Sequence, residues 1–310
     1  MASIMDHPSF PTLLDARWTA VREEEVADVS NVIPSIFDEF EGDRLEERFT
    51  EVGELNSWQE FVGSITPQQM YEQFSTTHRP REYGTQIIVT RRMVDDDLSG
   101  VFNGLRFRPM VRAGLVTMQE HATRLFEMIN VVDTHFYVYS EGVPIASTAH
   151  TTRTPGISTT TGFSNLTTAA FTPVALRAAL INGRKIKSDT GKRSNIMYDE
   201  IFVPVDLVPR VNEVLNTMSG LDVPYLNENQ ESSKRTGIMR VIGLPYWTAT
   251  SQWVLSNSRM RKMMLLWNWR VRPEYGRITE FDTLQLKARG YMRYGFAACG
   301  WRWCYAGIPA

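Results

Sequence analysis

Three adjacent carboxylates, Asp95-Asp96-Asp97, carry the hard oxygen donors that a divalent cation takes, and metal-assisted hydrolysis is the chemistry they would support. Loops that bind such cations interleave their ligands with spacers and glycine, so the run reads more simply as a helix cap. Leu98, Val101, Phe102 and Leu105 follow at i, i+3, i+4 and i+7, one face of a short helix whose N-terminus the carboxylates would stabilise. His150 sits in a Thr/Ser/Gly-rich loop from Thr148 to Thr168, which raises acyl hydrolysis, but no G-x-S-x-G elbow is present and nothing orders a nucleophile, base and acid. His121 and His135 have no HExxH or cysteine-rich partner and read as structural. Gly191-Lys192 is followed by Arg193 with no glycine at the Walker spacing, so it is not a phosphate loop. Arg interleaved with Trp and Tyr over residues 259–310, where 10 basic side chains stand against 3 acidic, would suit stacking on single-stranded nucleic acid. Aromatics on one sheet face and solvated arginines on the other explain that pattern more simply. The expectation is a chain with no catalytic residue, no metal and no cofactor.

These residues stand in a chain of 310, with 43% apolar and 22% charged residues and a mean hydropathy of −0.26, which excludes wholesale disorder and suffices for a sizeable core. Length alone suggests about two domains. No stretch approaches the roughly 18 consecutive apolar residues of a bilayer span, and the first residues lack the layout of a signal peptide, so a non-exported chain with no membrane partner is expected. If their segment is extended, Cys299 and Cys304 point to opposite faces, which argues against a mutual disulfide. The net charge of −2 is unevenly divided: residues 1–60 hold 4 Arg and 15 Asp+Glu, a net of −11, and the remainder carries +9. That asymmetry fits two solvated surfaces, or an acidic arm that lies on the basic surface of another copy.

Residues 1–48 alternate short apolar groups with acidic runs and close no core, as in an arm that orders by packing on something else. From Phe49 to Thr90 the pattern predicts two long, partly exposed strands around a polar stretch with Ser75-Thr76-Thr77, a hairpin that leans on a partner. Val111, Leu115, Met118, Ala122, Leu125 and Ile129 then mark one apolar stripe, and a helix from Pro109 to Asn130 would be a rod of about 33 Å. A strand at Phe136–Tyr139 and a turn at Glu141–Pro144 follow. Thr172-Pro173 is an N-cap with proline at the first helical position, opening a helix that Gly183 can end. A strand at Ile196–Val203, a helix with Leu207, Val211, Val214, Leu215 and Met218 on one face, and strands at Ile238–Gly243, Gln252–Leu255 and Met260–Val271 complete a second α/β block. A last long strand starts at Thr283 and runs towards Trp301-Arg302-Trp303.

The run Ile87-Ile88-Val89-Thr90-Arg91-Arg92, Asp96-Asp97-Leu98, the long helix, Glu141-Gly142-Val143-Pro144-Ile145 and Ser147-Thr148-Ala149-His150 resembles the major head subunits of tailed bacteriophages, particularly the Mu-like type. Phe163-Ser164-Asn165-Leu166, Ala175 to Ala179, Ile201-Phe202-Val203-Pro204 and Lys287-Ala288-Arg289 to Trp301-Arg302 are similar to that family in the same order. The resemblance implies the Hong Kong 97-type capsid fold, an α+β architecture. Its parts would be an N-terminal arm (1–48), an extended β-hairpin loop (49–94), a peripheral domain with the spine helix (95–169, completed by strands of 281–310) and an axial domain (170–280). It implies a non-enzymatic major capsid protein that self-assembles as hexamers and pentamers into the icosahedral head around double-stranded DNA. The partners implied are other copies, a portal, a separate scaffolding protein, a possible decoration protein and the packaged DNA, bound non-specifically; the location is the virion, after assembly in the host bacterial cytoplasm. An encapsulin-like nanocompartment is the alternative on the same fold, and a hydrolase using Asp95–Asp97 the alternative of another class. Contacts between subunits are expected at Glu23, Glu24, Glu25, Arg79, Arg81, Glu82, Arg91 and Arg92. The first lysine is Lys185, so the hairpin has none with which to form the isopeptide cross-links of some relatives.

Overall fold

A computed structural model of the chain describes residues 31–61, 63, 67–96, 107–216, 232–238 and 240–309. It divides into two units, one of residues 33–81, 122–269 and 295–310, the other of residues up to 32, 82–121 and 270–294. No described helix is long and apolar enough to cross a membrane.

The larger unit is built on a five-stranded mixed sheet. Its strands are β6 (Leu166–Thr167), β12 (Cys304–Gly307), β9 (Trp253–Ser256), β7 (Glu200–Pro204) and β8 (Arg240–Leu244), in that spatial order. All of β7 is buried, as a strand covered on both faces must be, and Ile201-Phe202-Val203 is its apolar run. One face carries the helices α4 (Pro173–Lys185) and α5 (Val208–Asn216): Leu176, Ala179, Val211, Val214 and Leu215 share a core with Ile201, Val203, Trp253 and Leu255. On the other face Phe126 meets Phe202 at 4.7 Å and Trp247 at 5.4 Å between ring centroids. The cap of α4 is as the sequence predicts, with the Thr172 hydroxyl accepting from the Ala175 N–H at 3.1 Å. Gly183 does not end that helix, which runs to Lys185; it is glycine because a Cβ there would enter the ring of Tyr198.

Two further strand readings change. Met260 is not in a strand: beyond the one-turn α6 (Ser233–Thr236), Asn257 accepts from the Met260 N–H at 2.9 Å and caps a helix, α7 (Ser258–Met264), before β10 (Leu265–Thr279) begins. The Ser75-Thr76-Thr77 stretch is no loop but the middle of β3 (Glu72–His78), a buried strand between β2 (Glu47–Val52) and β5 (Tyr137–Tyr139). The Thr76 hydroxyl is tolerated inside because it is bonded, donating to the Ala298 carbonyl at 3.0 Å. The arm also differs from expectation where it is described. A short helix, α1 (Ile33–Ile36), and β1 (Asp38–Glu41), which pairs in parallel with the start of β10, pack on their own chain. Phe37 lies 5.3 Å from both Trp267 and Phe296.

The smaller unit packs the first part of α3 (Phe107–Glu127) on strands of β4 (Arg81–Val89), β10 and β11 (Leu286–Ala298). At 21 residues α3 is a rod of about 32 Å. His121 is structural, its Nδ1 2.7 Å from the Tyr294 hydroxyl, and Tyr83 stacks on Tyr294. Met110 and Ala288 form a small core with Ile87 and Tyr275, beside a cavity of about 280 Å³. The helix expected at Leu98–Leu105 and Met218 lie outside the described residues.

Candidate functional site

β2 and β3 form an antiparallel pair, Glu47 opposite His78 and Thr50 opposite Ser75, from which residues 53–71 extend without regular structure where they are described. The expected pair of long strands is thus a short ladder with a long irregular tip. Its neck is drawn together by the Gly53 N–H donating to the Tyr71 carbonyl at 2.9 Å. Where it is described, this tip holds Leu55, Trp58, Phe61 and Met70 in solvent, Trp58 at 95% exposure and Phe61 at 69%. Four large apolar groups on one excursion thus stand exposed in the single chain. Sequence reasoning missed this exposure, although aromatics inside the polar, acidic run Asn56-Ser57-Trp58-Gln59-Glu60-Phe61 were the available signal.

Of the charged residues expected at subunit contacts, Glu23, Glu24 and Glu25 lie outside the described residues. The other five occupy exposed positions and each has a partner in its own chain. Arg79 pairs with Glu46 at 2.5 Å, Arg91 with Asp95 at 2.8 Å, Arg92 with Asp96 at 3.6 Å and Glu82 with Arg293 at 3.6 Å, while Arg81 donates to the His135 carbonyl. Asp95 is the last residue of a short helix, α2 (Arg91–Asp95), with Asp96 as its C-cap. Both carboxylates serve ion pairs, and Asp97 lies outside the described residues.

His150 is fully buried with both ring nitrogens engaged. Nδ1 is 3.0 Å from Glu141 and Nε2 3.2 Å from both the Ile145 carbonyl and Asn165 Oδ1, while the ring stacks on Trp301 at 4.1 Å. Glu141 also accepts from Thr151. A general base needs a substrate proton within reach, and this imidazole faces only its own chain, so the cluster ties the Thr148–Thr168 loop to the C-terminal turn. The C-terminal tryptophans are likewise buried, Trp267, Trp301 and Trp303 fully, which removes the stacking platform that a nucleic-acid reading requires. Cys299 and Cys304 are free thiols, and burial pushes Cys299 up to about 12.

Two titratable groups sit at the hairpin root. Burial raises the Glu51 carboxyl to about 7 and lowers His78 to about 4, backbone groups of Phe136 and Phe296 offsetting the latter only in part. The unfolded chain takes up the His78 proton near 6.5 and the folded chain resists until about 4, so His78 withdraws stability as pH falls through that window, up to about 3 kcal/mol. Urea unfolding of wild type and His78→Asn between about pH 7 and pH 4 should show the steeper loss in wild type; parallel curves would remove His78 from the account.

Over residues 73–307 the chain matches the family model described as phage capsid protein. No curated protein sequence matches it. Among solved structures, that of Microbacterium phage Oxtober96 superposes with a TM-score of 0.53 at 11% identity, covering 93% of this chain and 99% of that one. The mature capsid of bacteriophage PhiM1 does so at 0.57 and 10%, covering 91% and 88%, and the capsid of a native GTA particle at 0.53 and 11%, covering 91% and 93%. At such identities the likeness establishes the fold, the Hong Kong 97-type α+β architecture, and the sequence match carries the family. Because that match spans well over half of its length, the chain belongs to the phage capsid protein family.

Proposed function

We propose that this chain is the major capsid protein of a tailed double-stranded DNA bacteriophage, assembling as hexamers and pentamers into the icosahedral head that encloses the genome. The exposed Leu55, Trp58, Phe61 and Met70 of the tip carry the reading: they are stabilised only when a neighbouring copy buries them. In this reading residues 1–48 are the arm, 49–94 the hairpin loop, 95–169 and 281–310 the peripheral domain and 170–280 the axial domain. The protein has no catalytic step. It works with a portal and a separate scaffolding protein, packs DNA without sequence preference and, once assembled in the host cytoplasm, resides in the virion.

Charge sets the sign of the contacts. Glu23, Glu24 and Glu25 of the arm meet basic faces of adjacent copies, and Arg79, Arg81, Glu82, Arg91 and Arg92 exchange partners with them. Exposed ion pairs contribute only about 0–1 kcal/mol each, so little is lost in the exchange. Sedimentation velocity with negative-stain microscopy across a salt series is the test. Closed shells or capsomers that weaken as salt screens these charges are expected. A monomer under every condition, with or without scaffold, would sink the capsid reading; shells indifferent to salt would remove only the electrostatic part.

A further inference from the structure

Glu51 is on β2, two residues before the irregular tip begins, and its carboxyl turns into the protein. Oε1 rests against Gly300, where a side chain would have no room. Tyr139 donates to it at a marginal 3.5 Å. The cation in range, Arg302, is committed elsewhere: it donates to Asp189 at 2.7 Å and to the Lys187 carbonyl at 3.1 Å, and its guanidinium lies 4.8 Å from the Trp301 ring. Asp189 and Glu141 add negative charge around Glu51, and the Cys299 thiol, raised by burial, contributes no positive charge. On the strand alongside, Ser75 stands opposite Thr50 and the exposed Glu72 opposite Val52, so β3 brings no cation to the flanking positions. A protonated carboxyl fits this place: burial disfavours the ionised form most, Arg302 offsets that only in part, and Asp189 and Glu141 add to it.

We propose that Glu51 is a proton-operated latch at the hairpin root: protonated, it seats β2 on the C-terminal turn at Gly300, and ionised, it releases the root and frees the apolar tip to change its pose. The direction follows from the shift. A carboxyl raised to about 7 in the folded chain favours the seated form below that pH and loses it above. What the latch would regulate, the presentation of the tip to another copy, rests on the capsid reading, but the latch itself is a property of the single chain.

Hydrogen exchange on the full, unassembled chain at about pH 6 and about pH 8.5, corrected for the intrinsic pH dependence of exchange, tests it. Amides of residues 47–53 should lose protection by about tenfold or more at the higher pH, and those of β7 should not. Glu51→Gln, which keeps the shape of the neutral acid, should hold protection at both pH values. Wild-type protection that does not change with pH, a Gln variant that loses protection as wild type does, or one unprotected at both pH values would each overturn the latch. Shells that form normally beside any of these results would leave the capsid reading intact.

Discussion

Replacing Arg261 with methionine should lower the free energy of unfolding by about 3–5 kcal/mol, the cost of stripping a buried ion pair of one partner. Arg261 on α7 is fully buried. Nε and Nη2 reach the two carboxylate oxygens of Glu200 at 2.9 and 3.2 Å, Nη1 donates to the Ile36 carbonyl of α1, and the guanidinium stands 5.5 Å from the Phe202 ring. One side chain thereby joins α1, the strand β7 and the helix that precedes β10. Methionine fills much of the volume but leaves Glu200, almost wholly buried, with only the half-exposed Arg240 at 3.2 Å. Urea unfolding of the unassembled chain measures the loss, and Glu200→Gln in the same background should recover part of it by removing the stranded charge. A single variant within about 1 kcal/mol of wild type would show that the pair does not anchor the arm.

Trp58→Ser should leave the fold unchanged and cripple assembly. At 95% exposure the indole makes almost no contact within its own chain, so the urea midpoint should stay within about 0.5 kcal/mol. A buried tryptophan at an interface is commonly worth about 2 kcal/mol or more, which corresponds to a rise of about 30-fold or more in the concentration at which shells form. Light scattering against protein concentration gives that threshold. An unchanged threshold would place the tip outside the contacts between copies.

Parts of this fold were legible because their causes are local. Thr172-Pro173 shows its helix start in two residues, since a hydroxyl acceptor and a fixed φ act within one turn. The stripe of α3 shows in its period, and the order of short motifs was enough to suggest the family. Residues whose role depends on distant partners were not legible. Ser75 to His78 look like a surface run and form a buried strand because β2 and β5 cover it and Ala298 accepts from Thr76. Gly183 looks like a helix stop and is instead a close approach to Tyr198. The exposure of Trp58 was missed, because a Trp in a strand-like pattern is ordinarily buried and only its acidic, polar neighbours hint otherwise.

The sequence by itself determined the class of the protein, the soft two-part division of charge, the absence of a hairpin lysine and the positions of the helices with strong caps or stripes, because each is written in neighbouring residues or in their order. Only the tertiary structure decided which polar groups are inside and which apolar ones are out. Burial is a property of pairs far apart in the chain, as Arg261 with Glu200, His150 with Trp301 and Glu51 with Gly300 are, and no local pattern encodes the partner that desolvates a charge or leaves a tryptophan in water.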